Sequence, residues 1–126
     1  MIARTVACSV GCALLFLLTG PAPRGQAAQA ESSSAERQAE AILQATGVRG
    51  GLIVHVGCGD GKLVAALGRS PRFQVHGLDR DPANVRRARE ILQSGNYGRV
   101  AVDTWSGGAL PYTDNLVNLV VVDKVA

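Results

Sequence analysis

Apolar positions along this chain switch repeatedly between helical and extended spacing. Residues 35–46 place Ala35, Ala39, Ile42 and Leu43 on one face at three- and four-residue intervals, with Ser34 before them and Gly47 after them. That predicts a helix capped by Ser34 and closed at Gly47. Leu52-Ile53-Val54-His55-Val56 then reads as a buried strand, broken by Gly57, Gly59 and Gly61 and followed by a helix over 62–67. Phe73-Gln74-Val75-His76-Gly77-Leu78-Asp79 reads as a second strand with an acid at its carboxyl end. Asp81-Pro82 opens a helix, Asp81 as N-cap and Pro82 at the first position, where no N–H is missed. It runs to about Leu92, with Val85, Ala88, Ile91 and Leu92 inward, Arg86, Arg87 and Arg89 toward water, and Ser94-Gly95-Asn96 as its end. Residues 99–103 form a third strand, and the apolar run ending at Asp123 a fourth. Strands separated by helices, joined by right-handed crossovers, make an α/β fold with a doubly wound, Rossmann-like parallel sheet.

The glycines carry the first chemical signal. A glycine turn between strand and helix lets the backbone approach a bound molecule, and the helix behind it directs free N–H groups and a positive dipole end there. Nucleotide-type cofactors are held this way. The dinucleotide fingerprint G-x-G-x-x-G needs a third glycine where this chain has Lys62, and the spacing here is G-x-G-x-G. An NAD-type site is thereby disfavoured. Asp79 follows 18 residues after Gly61, where an acid at a strand end reaches ribose hydroxyls. The competing reading makes it the first residue of the turn Asp79-Arg80-Asp81-Pro82.

The stretch Val56-Gly57-Cys58-Gly59-Asp60-Gly61, together with Asp79, resembles the class I S-adenosylmethionine-dependent methyltransferases. So does Ala109-Leu110-Pro111-Tyr112-Thr113-Asp114-Asn115-Leu116-Val117-Asn118-Leu119-Val120-Val121-Val122-Asp123, which is similar to the family's L-P-F-x-D-x-x-F-D-L-V segment. The resemblance implies S-adenosylmethionine as cofactor. Gly57, Gly59 and Gly61, with Cys58 between them, would hold its methionine portion, Asp79 its ribose, and Trp105 and Ser106 would border its adenine. It also implies an in-line methyl transfer to an unspecified acceptor, with no catalytic residue identified and Asp123 a position to watch. His55 stands where the family carries an acid two residues before the first glycine. Ser106 and Asn118 likewise replace family acids, so an altered or weakened site is expected. Against the family's larger sheet the chain supplies the first four strands only and stops at Asp123-Lys124-Val125-Ala126; it reads as a truncated domain, a fragment.

The N-terminus predicts a signal peptide over residues 1–30: Arg4, an apolar run over 6–18, and small residues at Ala28-Gln29-Ala30 before Glu31. The apolar run is shorter than the roughly 20 residues of a membrane span, so export without a lasting membrane anchor is expected, leaving an α/β domain over 31–126. The full chain has 13 basic and 10 acidic residues. Removing Arg4 and Arg24 with the leader brings the balance to 11 against 10, which gives no case for nucleic acid. Cys58 is then the sole cysteine, so neither a disulfide framework nor a thiol metal site is expected. Export sits uneasily with an intracellular cofactor. A looser resemblance to the methyltransferase-like segments of exported PQQ-type propeller proteins implies further domains in the same chain. The alternative to a methyltransferase is therefore a non-catalytic, degenerate binding or structural module of a larger exported protein.

Overall fold

The computed structural model describes residues 24–93 and 98–123. The apolar run at 6–18 and the helix end at Ser94-Gly95-Asn96 lie outside them. The order is α1 (Arg24–Thr46), β1 (Gly51–Val56), α2 (Lys62–Leu67), β2 (Phe73–Asp79), α3 (Pro82–Leu92), β3 (Val100–Thr104) and β4 (Leu119–Val122). The four strands form one parallel sheet in the order β3-β2-β1-β4. The chain winds outward from β1 to β3 and then returns to the far side of β1. That reversal puts a topological switch point between β1 and β4, where a crevice opens at the strands' carboxyl ends.

Alternation along the strands sorts the core into two faces. Ile53, Phe73, Val75 and Val102 meet Ala39 of α1, Leu63, Val64 and Leu67 of α2, and Val85, Ala88 and Leu92 of α3. Val54, Val56 and Leu78 on the other face meet Leu52, Trp105, Leu110, Tyr112 and Val117. All three helices therefore cover one face, and the 105–118 segment covers the other. Each fully buried Val, Leu or Ile contributes about 1.5–3 kcal/mol, so these alternating positions hold the layers together.

The structure corrects two local expectations. Ser34 is no N-cap, because α1 begins at Arg24 and runs through it. Ala, Gln and Glu upstream are good helix formers, and the Ser33 hydroxyl donates to the Ala30 carbonyl at 2.8 Å within the helix. Ile91 is 37% exposed, whereas Val85, Ala88 and Leu92 are buried. At 3.6 residues per turn Ile91 lies about 100° from Leu92, beyond the stripe that the sheet covers. Elsewhere the caps agree with their sequence signals. The Asp81 carboxylate accepts from Ala83 N–H, and Gly47, with φ +68°, donates to the Leu43 carbonyl at 3.0 Å. The third strand sits one residue later than expected. Arg89 lies across its edge, donating to the Val102 carbonyl at 3.0 Å and to Asp103 at 2.8 Å.

Candidate functional site

Three glycines make the turn after β1, each for a different physical reason. All have positive φ: Gly57 +79°, Gly59 +55° and Gly61 +81°. Gly57 N–H donates to the Leu78 carbonyl at 2.7 Å, fastening the turn to β2. A Cβ on Gly61 would lie 2.6 Å from the Ala88 Cβ, so this glycine lets α2 start against α3. A Cβ on Gly59 would meet nothing within 4 Å, so the space over this residue is open. Gly61→Ala is therefore expected to cost about 2–4 kcal/mol, from left-handed strain plus overpacking. Gly59→Ala should cost about 1 kcal/mol, for strain alone. Urea unfolding of the two variants checks the order.

Cys58 is turned inward. Its thiol packs in the helical face of the core, its N–H donates to Leu78 and its carbonyl accepts from Gly61. Burial, reinforced by the charge of Asp79, pushes the thiol up to about 12. It is a protonated core residue at neutral pH, not a nucleophile.

Asp79 closes the site from β2. Its carboxylate is 8% exposed and accepts from three donors. Gly59 N–H is 2.8 Å from Oδ2; Asp81 N–H, at 2.9 Å, and the Asn84 amide, at 3.3 Å, share Oδ1. One carboxylate thus joins the glycine turn to the start of α3. Its own carbonyl accepts from Trp105 N–H at 2.8 Å, which brings the end of β3 alongside. Trp105 Nε1 reaches the Ala109 carbonyl at 3.4 Å, and the Arg80 guanidinium lies 5.6 Å from the Trp105 ring centre. Ser106 follows at this same corner. The glycine turn, Asp79, Trp105 and Ser106 are thus gathered at the carboxyl end of the sheet.

Between α1, the glycine turn and the end of β4 lies an open cavity of about 280 Å³. Glu31 and Gln38, Asp60 and Lys62, and Asp123 line it. Lys62 pairs with Glu31 and, at 3.0 Å, with Asp60; both bonds raise its pKa. Beneath the turn, His55 is 1% exposed with neither ring nitrogen hydrogen-bonded. Burial holds its pKa below the ordinary 6.5, against the opposing pull of Asp123 and Asp79. Two orphaned buried nitrogens are costly, and a ligand with a donor and an acceptor would satisfy them.

Asn118 belongs elsewhere. Its side chain accepts from Leu52 N–H at 2.9 Å and fills the space beside Gly51. It sits at the amino end of β1, so its replacement of an acid lies away from the glycine turn. Asn84 and Arg80 were not singled out by sequence reasoning. Asn84 carried a weak signal, as a polar residue in the first turn of the helix that follows the acid. A further group holds the 105–118 segment to the sheet. The Tyr112 hydroxyl contacts His76 Nδ1, and His76 Nε2 lies 2.9 Å from Asp103. Asp103 is held below 3.8 first by its bond to His76, with Arg89 adding to it. No spacing in the sequence announces this group, because the β2–β3 register creates it.

Among the described residues no group of three or more His, Cys, Asp or Glu side chains could hold a metal ion. No helix there is long and apolar enough to cross a membrane.

A family profile described as a methyltransferase domain matches residues 53–125. A search of curated proteins returns no match. Among solved structures, a protein assigned as an S-adenosyl-L-methionine-dependent methyltransferase from Methanococcus maripaludis is 25% identical with a TM-score of 0.63. The match covers 69% of this chain and 40% of that one. The N-terminal domain of EvdMO1, with S-adenosylhomocysteine bound, is 24% identical with a TM-score of 0.53, covering 56% and 29%. The glycopeptide N-methyltransferase MtfA, complexed with sinefungin, is 19% identical with a TM-score of 0.58, covering 70% and 36%. The matched region thus spans 40% or less of each of these proteins. The resemblance to exported propeller proteins gains no support here. With more than half of its residues matched by the family profile, this chain belongs to the methyltransferase domain family.

Proposed function

We propose that this chain is the cofactor-binding part of an S-adenosylmethionine-dependent methyltransferase, with the crevice at the carboxyl end of β1, β2 and β4 as its cofactor site. The observation that carries this is the Asp79 carboxylate, fixed at the end of β2 by the glycine turn itself. The two parts of a nucleoside-cofactor site are joined there by one hydrogen bond. The residues present fit the cofactor. Space is open over Gly59, a carboxylate with about four acceptor directions has three donors on it, and the orphaned His55 nitrogens lie beneath the turn. The structures with bound S-adenosylhomocysteine or sinefungin support the same reading through their shared fold.

Asp79 would hold the ribose, and His55 the amino-acid end where relatives place an acid. Trp105 and Ser106 would border the base. When bound, S-adenosylmethionine supplies a methyl group activated by a positive sulfur. The chain's own contribution is binding and orientation, the term that converts an encounter into an aligned pair. The methyl acceptor is left unassigned. Export remains part of the proposal on the strength of Arg4, the apolar run at 6–18 and Ala28-Gln29-Ala30. N-terminal sequencing of the native product would show cleavage before Glu31.

Calorimetric titration of the full chain with S-adenosylhomocysteine and, separately, with NAD tests the cofactor. Micromolar binding of the first and none of the second is the expected result. Binding of NAD alone would overturn the reading of the glycine spacing. Heat from neither, on folded protein, would leave a non-catalytic module.

A further inference from the structure

The two ends of the parallel sheet carry opposite charge. The segments that enter β1, β2 and β3, residues 47–51, 68–73 and 98–100, hold Arg49, Arg69, Arg72 and Arg99 and no acid. Strand pairing sets these segments side by side at the amino edge. Gly51 N–H donates to the Arg72 carbonyl at 3.0 Å, and Val75 N–H to the Arg99 carbonyl at 2.9 Å. With neighbouring strands about 4.8 Å apart, Arg49, Arg72 and Arg99 make a row across three strand entrances. Arg49 and Arg72 are exposed, and neither pairs with a carboxylate among the described residues. Arg99 is half-buried and donates to the Ser70 carbonyl at 3.1 Å, while Arg69 is answered by Glu36 at 2.8 Å. The carboxyl edge is the reverse. It carries Asp60, Asp79, Asp81 and Asp123 against Arg80 and Lys62, and Lys62 is paired with Asp60 and Glu31.

We infer that the amino edge of the sheet is a docking surface for an anionic phospholipid membrane, held reversibly by Arg49, Arg72 and Arg99, with the carboxyl edge turned away from the bilayer. This stands independently of the cofactor reading. A guanidinium is always charged and forks onto phosphate oxygens, so a row of them suits a layer of head-group phosphates. Charge polarity orients the molecule, because the surface that attracts the arginines repels the acids of the carboxyl edge. Nucleic acid fits less well. Phe73, the aromatic residue of the three segments, is 5% exposed, so no ring is offered for base stacking. Three arginines also fall short of the roughly six to ten phosphate contacts of strong duplex binding. Each arginine near an anionic surface adds about fivefold in partition. The row therefore gives about a hundredfold, a hold that salt dissolves.

Vesicle co-sedimentation of the full chain tests this, with pure phosphatidylcholine beside a mixture of phosphatidylcholine and phosphatidylglycerol, and thermal melts to show that each variant is folded. The neutral vesicles set the baseline for the apolar run at 6–18. The anionic mixture should raise binding about a hundredfold over that baseline, an increment lost in strong salt. Arg49→Gln with Arg72→Gln should lower the increment about twenty- to thirtyfold. The same charge change at Arg86 and Arg87, exposed on α3, should alter it by less than about twofold. Brominated acyl chains quench a tryptophan in contact with the bilayer. Trp105, the single tryptophan, is bonded to the Asp79 carbonyl at the carboxyl edge and should keep its emission on binding. Equal binding to both kinds of vesicle, or equal losses from the two double variants, would overturn the surface. Quenching of Trp105 would overturn the orientation, and tighter binding to a DNA duplex than to the anionic vesicles would overturn the choice of partner.

Discussion

Replacing Asp79 with alanine should remove S-adenosylhomocysteine binding, with an affinity loss of about a hundredfold or more, and lower stability by about 2–4 kcal/mol. The two effects share one cause. The carboxylate accepts from Gly59, Asp81 and Asn84 in a site where it is 8% exposed. Its removal strands those donors and frees the glycine turn from β2. Ribose recognition is lost with the same atoms, because hydrogen bonds to an ionised acceptor are worth about 1.5–3 kcal/mol each. Asp79→Asn separates the effects. It keeps the shape and one acceptor oxygen, so stability should fall less than for alanine, while the amide nitrogen replaces one oxygen and leaves no acceptor direction free for a ribose hydroxyl. Native affinity in a folded Asp79→Ala chain would show that this acid only starts the turn into α3.

His55→Leu should have the opposite signature, a more stable chain with a weaker grip on the cofactor. The imidazole is 1% exposed and neither nitrogen has a partner. Leucine removes that debt at similar volume, a gain of about 1–3 kcal/mol. The pH dependence follows from the same burial. Because the folded-state pKa lies below 6.5, the unfolded chain binds the proton more readily. Stability is therefore lost as pH falls below about 6.5, until the folded-state value is passed. His55→Leu should flatten that part of the curve. Asp103, held below 3.8, adds a separate loss deeper in acid, which the variant should keep. Urea midpoints between about pH 2 and 8 check both parts. A destabilised His55→Leu would mean that the imidazole is partnered in solution.

The sequence showed most clearly those features in which local chemistry and tertiary packing agree. Lys62–Leu67 and Phe73–Asp79 lie where the apolar runs and glycines put them. Asp81-Pro82 starts α3 because a cap and a fixed φ act within one turn, whatever lies nearby. Ser34 misled because serine at a helix start and serine inside a polar helix look alike in one dimension. The difference came from the helix formers before it and from the ion pair between Glu31 and Lys62 on α2. Gly57, Gly59 and Gly61 were legible as a turn, but their separate duties were not. The contact of Gly61 with Ala88 and the open side of Gly59 depend on where α3 crosses. For the same reason Arg80 and Asn84 stayed hidden. Each acquires its role through a neighbour distant in sequence or through the first turn of the next helix.

The measurement that bears most directly on the cofactor site is backbone amide NMR of the full chain, titrated with S-adenosylhomocysteine. The largest shift changes should fall at Gly59, at Asp79 through Asp81, and at Trp105, with small ones along the outer edge of β3. Changes concentrated instead in the groove between Arg89 and Val100–Asp103, or none on a well-dispersed spectrum, would contradict a cofactor site built on Asp79 and the glycine turn.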